Sequence, residues 1–228
     1  MASNERIDDL QNGLYLIQNP DKFCFGVDAV QLSQFVKVET GQSVLDLGTG
    51  NGIIPLLLCA KKTLQVTGLE IQSENVQLAK RSVILNKLEG QIDILEGDIK
   101  DVKSLLKGRR FDVVVSNPPY MNHGGGILNQ RDDKSIARHE ILCSLEDVVK
   151  AAAYTLNFKG RFYMIHRPQR LTDILCTLRR EGLEPKEIKF IHSYVDTEAT
   201  MVLVEAIRGA KPLCKVSDPI ILYQRERP

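Results

Sequence analysis

A short apolar segment, residues 43–47, runs directly into Gly48-Thr49-Gly50-Asn51-Gly52 and then into an apolar-periodic stretch over residues 53–61. This order reads as a buried strand, a glycine turn and an amphipathic helix, an arrangement that brings a ligand against bare backbone at a helix N-terminus. It therefore commits the chain to an open α/β sheet. The glycines are spaced G-x-G-x-G, and no Lys-Ser/Thr pair follows them. The dinucleotide fingerprint and the phosphate loop both require other patterns. Asp46, two residues ahead of Gly48, would repel a pyrophosphate but suits the ammonium of an amino-acid moiety. The combination argues against NAD and ATP and for S-adenosylmethionine (AdoMet), held by Asp46, Gly48, Gly50 and Gly52.

A second stretch has comparable weight. Residues 111–115 form an unbroken, β-branched run of the kind buried on both faces of a parallel sheet, and they end at Ser116-Asn117-Pro118-Pro119-Tyr120. Two consecutive prolines can neither continue the strand ladder nor start a helix without strain. Asn117 is thus set on stiff backbone at the carboxyl edge of a sheet, where open α/β folds bind ligands. An exocyclic NH2 on a base is a weak nucleophile because its lone pair is delocalised into the ring. The Asn117 side-chain oxygen and the Pro118 carbonyl, accepting from its two hydrogens, would favour a pyramidal nitrogen with a usable lone pair. Pro119 fixes the turn, and Tyr120 can stack on the base. Catalysis of this kind rests on positioning and electrostatics. By itself the tetrad serves equally well as a strand end capped by a Pro-Pro turn; the glycine turn tips the reading towards a site.

Other acidic groups fall at strand ends. Residues 66–69 form a strand ending at Glu70, 18 positions past Gly52, about the spacing at which an acidic group takes ribose hydroxyls in nucleotide folds. A solvated carboxylate is the plainer role. After a helix over 74–86 and a strand over 92–95, Gly97-Asp98-Ile99 places a carboxylate that can accept from an adenine amino group or cap the helix expected over 99–106. Residues 121–133 are polar and glycine-rich, as expected of a binding loop, and Arg131, Lys134, Arg138 and His139 follow as phosphate-contact candidates. Farther on come a helix over 145–156, a turn at 157–160, a strand over 161–166 and a helix opened by Pro168. His166 and His192 alternate with apolar neighbours and read as structural. The strands over 187–192 and 200–207 are too close for a helical crossover and must pair antiparallel. Residues 220–223 offer one more short apolar run, suited to an edge strand or a packed extension.

At the other end, residues 1–27 read as a small hairpin or an extended lead-in rather than a domain. Asp28 is then expected to cap a helix to about Val36. Phe23, Phe25 and Gly26 suit either an apolar pocket or a hydrophobic staple ahead of that helix, and spacing favours the staple. The expected domains are an extension over 1–40, the main domain over 41–210 and a tail over 211–228.

With 43% hydrophobic and 26% charged residues, the chain can bury one sizeable core. No apolar run reaches the ~20 residues of a membrane helix, and the N-terminus lacks a basic-then-apolar leader pattern, so a cytoplasmic protein with no membrane partner is expected. Five widely spaced cysteines without C-x-x-C suggest neither disulfides nor a metal site, and read as small buried hydrophobes. Net charge is only +1, yet residues 97–215 hold 20 basic against 15 acidic groups, a modest surplus on the half that carries the tetrad.

Taken together, the segments FCFGVDAVQLSQFV (23–36), VLDLGTGNGIIPLLL (44–58), VTGLEIQ (66–72), VVSNPPY (114–120), ARHE (137–140), IHRPQRL (165–171) and ATMVLVEAIRGAKP (199–212) resemble class I AdoMet-dependent methyltransferases. More narrowly they resemble the bacterial tRNA1(Val) adenine-N6 methyltransferase family. The resemblance implies a Rossmann-like fold: a seven-stranded, mostly parallel sheet of order 3-2-1-4-5-7-6, strand 7 antiparallel, with helices on both faces. It implies a tRNA substrate methylated on an adenine beside the anticodon of a valine tRNA. The sequence does not fix the oligomeric state, and a monomer is the default expectation. By position, Asp46, Gly48, Gly50 and Gly52 would hold the methionine part of the cofactor, with Phe25 and Gly26 closing over it. Glu70 and the adjoining Ile71 would take the ribose, Asp98 and Ile99 the adenine, and Asn117, Pro118, Pro119 and Tyr120 the target base. Methylation of a protein glutamine amide would use the same tetrad, and a non-catalytic AdoMet-binding module is the alternative from another class. The outer segments favour the tRNA family over the first, and the intact Asn117 and glycine turn argue against the second.

Overall fold

The computed structural model describes residues 4–11, 13–21, 24, 26–118 and 143–224. An N-terminal hairpin, β1 (Arg6–Asp9) and β2 (Tyr15–Gln18), precedes α1 (Val27–Phe35). There follow β3 (Ser43–Leu47), α2 (Ile53–Cys59), β4 (Gln65–Glu70), α3 (Ser73–Leu85) and β5 (Ile92–Glu96). A 3-10 turn (Ile99–Asp101) leads into α4 (Val102–Leu105), and then come β6 (Phe111–Ser116), α5 (Leu145–Thr155), β7 (Leu156–His166), α6 (Leu171–Arg180), β8 (Leu183–His192), β9 (Ala199–Arg208) and β10 (Lys215–Ile221).

The last eight strands form one sheet in the order β5-β4-β3-β6-β7-β9-β8-β10, in which β9 runs against all the others. Alternation along the strands fills both faces. Val44, Val113, Val115, Tyr163 and Ile165 face one apolar layer shared with α1, α2 and α3. Leu45, Leu47, Val114, Phe162 and Met164 face the other, shared with α4, α5 and α6. Each of these side chains is fully buried, worth about 1.5–3 kcal/mol apiece relative to exposure. Such two-sided burial explains why the strands read as continuous apolar runs.

Several expectations need correction. The central sheet has eight strands where seven were expected. After β9, the left-handed residues Gly209 and Leu213 turn the chain back, and Lys186 Nζ donates to the carbonyls of Lys211, Pro212 and Leu213. The tail is thereby laid along the free edge of β8, in parallel. The turn expected at 157–160 is absorbed into β7, where Lys159 takes a positive φ and the register with β6 shifts between Phe111 and Val113. Asp28 is not the cap of α1: Gly26 holds that position, and Asp28 sits in the first turn, where its charge faces the helix dipole. All five cysteines are free, but Cys176 and Cys214 are exposed. Cys176 lies off the buried stripe of α6 formed by Ile174, Thr177 and Leu178, and Cys214 belongs to the connection to the edge strand β10.

β7 and β9 are also joined by a buried carboxylate. Glu205 accepts from Arg161 at 2.7 Å, from Tyr163 Oη at 3.0 Å and from Lys37 at 3.3 Å. Removing its charge while keeping its shape leaves these donors facing a neutral amide. Glu205→Gln is expected to destabilise the fold by about 2 kcal/mol, read as a lowered urea midpoint with an unchanged slope.

Candidate functional site

The carboxyl edge of β3 and β4 is built by backbone hydrogen bonds. Gly48 and Thr49 both donate to the Leu69 carbonyl, at 2.9 and 3.0 Å, which folds the turn back across the end of β4. Gly48, Gly50 and Gly52 all take positive φ, at 76°, 57° and 84°, a region that disfavours side chains. At Gly52, which opens α2, an added Cβ would also lie 3.1 Å from Ala79 Cβ. At Gly50 an added Cβ would meet no atom within 4 Å among the described residues. The turn is therefore tight against the protein at one end and clear at the other.

Three carboxylates surround it. Asp46 is fully buried, and its Oδ2 accepts from Thr49 Oγ1 at 2.6 Å. Its Oδ1 is buried without a hydrogen-bond partner among the described residues. Glu70, also buried, accepts from the Gly50 amide at 2.9 Å and the Gln72 amide at 2.8 Å, which pins it to the turn while leaving acceptor capacity on both oxygens. Ile71 follows as a partly exposed apolar side chain at the strand end. Asp98 caps the 3-10 turn through the Lys100 amide at 2.9 Å and meets Lys100 Nζ at 3.4 Å. Both roles read for Asp98 remain compatible, because the cap uses one oxygen. Ile99 extends over the glycine turn, its Cδ1 4.0 Å from where a Cβ on Gly48 would stand.

The second half of the site lies on the next strand. β6 pairs in parallel with β3, with Asp46 level with Val115. One residue on, Ser116 Oγ donates to the Leu47 carbonyl at 2.8 Å, so the chain leaves β6 tied to the end of β3. Asn117 follows at once, beside the glycine turn, and its Oδ1 is the other carboxyl-edge acceptor buried without a described partner. An unpaired buried acceptor costs on the order of 1–3 kcal/mol, and two on adjacent strand ends mark a place kept for donors. Pro118 is described; Pro119, Tyr120, Phe23, Phe25 and the phosphate-contact candidates Arg131, Lys134, Arg138 and His139 lie outside the described residues. Gly26, at the head of α1, is the described part of the segment expected to close over the cofactor.

Sequence reasoning passed over Thr49 and Ser116. Thr49 orients Asp46, and Ser116 orients the corner; hydroxyls lying beside each proposed site residue were the available signal. His166 accepts from the Arg167 amide at 2.8 Å, and burial, with nearby Arg170, pushes it down to about 4, leaving a neutral imidazole. No group of three or more His, Cys, Asp and Glu among the described residues could hold a metal ion.

A buried carboxylate with an oxygen unused among the described residues, a second carboxylate at the next strand end, the apolar Ile99 side chain near Gly48 and backbone clear of the described residues over Gly50 match a ligand bearing a cation, a diol and a flat ring. AdoMet has all three, and the residues fit it. Burial pushes Asp46 up to about 7, helped by the charge of Glu70 and opposed by the Thr49 hydroxyl. Its ordinary value is near 4. Between these limits the folded protein holds a proton that the unfolded chain has released, so unfolding releases protons. Stability of the cofactor-free protein is therefore expected to fall as pH climbs from about 4 to about 7. Asp46→Asn should flatten that fall, and denaturation midpoints measured across the range for both proteins check it; parallel profiles would contradict it.

Comparison with known proteins agrees with this architecture. The family model for the methyltransferase small domain matches residues 29–177. A tRNA1(Val) (adenine(37)-N6)-methyltransferase from Phocaeicola vulgatus is 26% identical over 200 residues, covering 88% of this chain and 83% of that protein. One of the same name from Bacteroides fragilis is 27% identical over 217 residues, covering 88% and 89%. Among solved structures, a protein described as a predicted O-methyltransferase from Agrobacterium tumefaciens superposes with TM-score 0.68 at 24% identity, covering 86% of this chain and 88% of that one. The T. thermophilus 16S rRNA N2 G1207 methyltransferase, solved with AdoMet and guanosine, gives TM-score 0.62 at 20% identity over 90% of this chain and 51% of that one. At these identities the structural likenesses establish the fold alone. With the family match spanning most of the chain, this protein belongs to the methyltransferase small domain family, and AdoMet is its cofactor.

Proposed function

We propose that this protein transfers a methyl group from AdoMet to the exocyclic N6 of an adenine in tRNA, in the anticodon loop of a valine tRNA beside the anticodon. The observation that carries the reading is the buried Asn117 Oδ1 at the end of β6, without a hydrogen-bond partner among the described residues and next to the glycine turn. An exocyclic amine supplies the donor this oxygen lacks. The names of relatives that align with most of the chain support tRNA adenine as the carrier of that amine. An anticodon-loop base is single-stranded and splays out at low cost, so no base-flipping apparatus is needed.

Bound AdoMet supplies an electrophilic methyl on a sulfonium. In this reading Asp46 Oδ1 accepts from the cofactor's ammonium and the backbone of Gly48, Gly50 and Gly52 lies against its methionine part, with Phe25 and Gly26 closing over it. Glu70 accepts from the ribose hydroxyls beside Ile71, while Asp98 and the Ile99 amide take the adenine. Asn117 Oδ1 and the Pro118 carbonyl accept from the two hydrogens of the target amine, draw its lone pair out of conjugation and aim it. Pro119 holds the corner, and Tyr120 stacks on the base. Transfer leaves the demethylated cofactor as a neutral thioether, and the nitrogen, now cationic and acidic, releases its proton to bulk water, so no titrating side chain is required. Rate enhancement comes from orientation and from acceptors placed where positive charge develops.

Two outcomes test this. Asn117→Ala is expected to lower single-turnover methylation at least about 100-fold while cofactor affinity by calorimetry stays within a few-fold. Full activity in the variant contradicts the role given to Asn117. Incubation with labelled AdoMet and total bacterial tRNA, followed by nucleoside mass analysis, should yield N6-methyladenosine. Label appearing as methylglutamine in a protein control, with none in RNA, would overturn the substrate.

A further inference from the structure

The N-terminal hairpin is fastened to the methyltransferase fold along α3. The Ile17 amide donates to Ser82 Oγ at 3.0 Å, and Tyr15 and Asn86 exchange two bonds, from the Tyr15 amide to Asn86 Oδ1 at 2.7 Å and from Asn86 Nδ2 to the Tyr15 carbonyl at 2.6 Å. Arg81 grips Glu5 with both terminal nitrogens, at 2.8 and 2.7 Å. These contacts set β2 so that its last residue, Gln18, is only 1% exposed, an unusual state for a glutamine. Its Nε2 donates to the Asp8 carboxylate on β1. A carboxylate only accepts, so the amide can sit one way, and Gln18 Oε1 must point to the other side. There it accepts from Asn51 Nδ2 at 3.1 Å. Asn51 is the residue between Gly50 and Gly52 in the cofactor turn, and the preceding amide, that of Gly50, is the one bound by Glu70.

We propose that Gln18 is a positioning residue for AdoMet binding: through Asn51 it holds the glycine turn in its binding conformation, and so makes the hairpin part of the cofactor site. The glycines on either side of Asn51 have positive φ and wide conformational freedom; backbone bonds hold Gly48, Thr49, Gly50 and Gly52, the last donating to the Thr49 carbonyl at 3.0 Å, and Asn51 is fastened through its side chain. The Asp8–Gln18–Asn51 chain supplies stiffness from outside the strand-turn-helix unit. Gln18 touches no cofactor atom in this role. Its loss should weaken binding and leave turnover at saturating cofactor unchanged.

The test is a double-mutant cycle read by calorimetry with S-adenosylhomocysteine, the demethylated cofactor, on the full chain. Gln18→Ala and Asn51→Ala are each expected to weaken binding about ten-fold, the scale of one buried hydrogen bond. The double variant should bind within two-fold of Asn51→Ala, because both changes break the same link. Amide exchange in the cofactor-free protein gives an independent reading: Gly50, Asn51 and Gly52 should exchange faster in Gln18→Ala, with the core strands unaffected. Wild-type affinity in folded Gln18→Ala, or losses that multiply in the double variant, would overturn the proposal. Should Gln18→Ala fail to fold, Asn51→Ala decides alone: faster exchange at Ile17 and Gln18 supports the link, and unchanged exchange there refutes it.

Discussion

The parallel pairing of β3 with β6 is the constraint on which the site depends. Neighbouring strands lie about 4.8 Å apart, so whatever follows each strand emerges side by side. With Asp46 level with Val115 and Ser116 bonded to the Leu47 carbonyl, Gly48 and Asn117 are adjacent by construction. The buried side chains enforce the register. A slip of one residue would turn Val113, Val114 and Val115 each to the opposite layer and carry Asn117 out of line with the glycine turn. A cofactor turn and an amine-accepting corner far apart in sequence are thus joined by packing that has no chemical role of its own.

The resulting edge is rich in acceptors and poor in donors. Asp46 and Asn117 each bury an oxygen without a partner among the described residues, and Glu70 and Asp98 hold theirs on backbone amides with capacity left over. In a low-dielectric setting such groups weaken the free protein. The raised Asp46 is one expression of that cost. A ligand carrying an ammonium, hydroxyls and an amino group supplies the missing donors, so the arrangement that costs stability without ligand is the one that gives affinity with it.

Much of this was legible in the linear sequence because local chemistry and tertiary role coincide there. A glycine turn after a buried strand has few uses, and a proline pair after an apolar run must stop the ladder, so the ends of β3 and β6 could be placed from the residues alone. The hairpin of β8 and β9 followed from connection length. Where the reading failed, the deciding interaction was distant or outweighed. Asp28 is a good cap by type, yet Gly26 takes the capping position. The apolar run over residues 220–223 offered an edge strand or a packed extension; the edge strand it joins is longer, Lys215–Ile221, and Lys186, which gathers three carbonyls of the tail, is a distant contact that the run itself does not announce. Gln18 and Asn51 are 33 positions apart and each is unremarkable by type, so their bond was invisible until the hairpin was docked on α3.

The central claim is that Asn117 and the glycine turn act on one ligand pair from adjacent strand ends. A crystal structure of the protein with S-adenosylhomocysteine and an adenine-containing anticodon stem-loop examines it directly. The expected result has Asn117 Oδ1 and the Pro118 carbonyl each about 3 Å from one exocyclic nitrogen, with the cofactor sulfur on the far side of the methyl's path and Asp46 against the cofactor's ammonium. An adenine bound elsewhere, or an Asn117 oxygen satisfied by the protein itself in that complex, would contradict it.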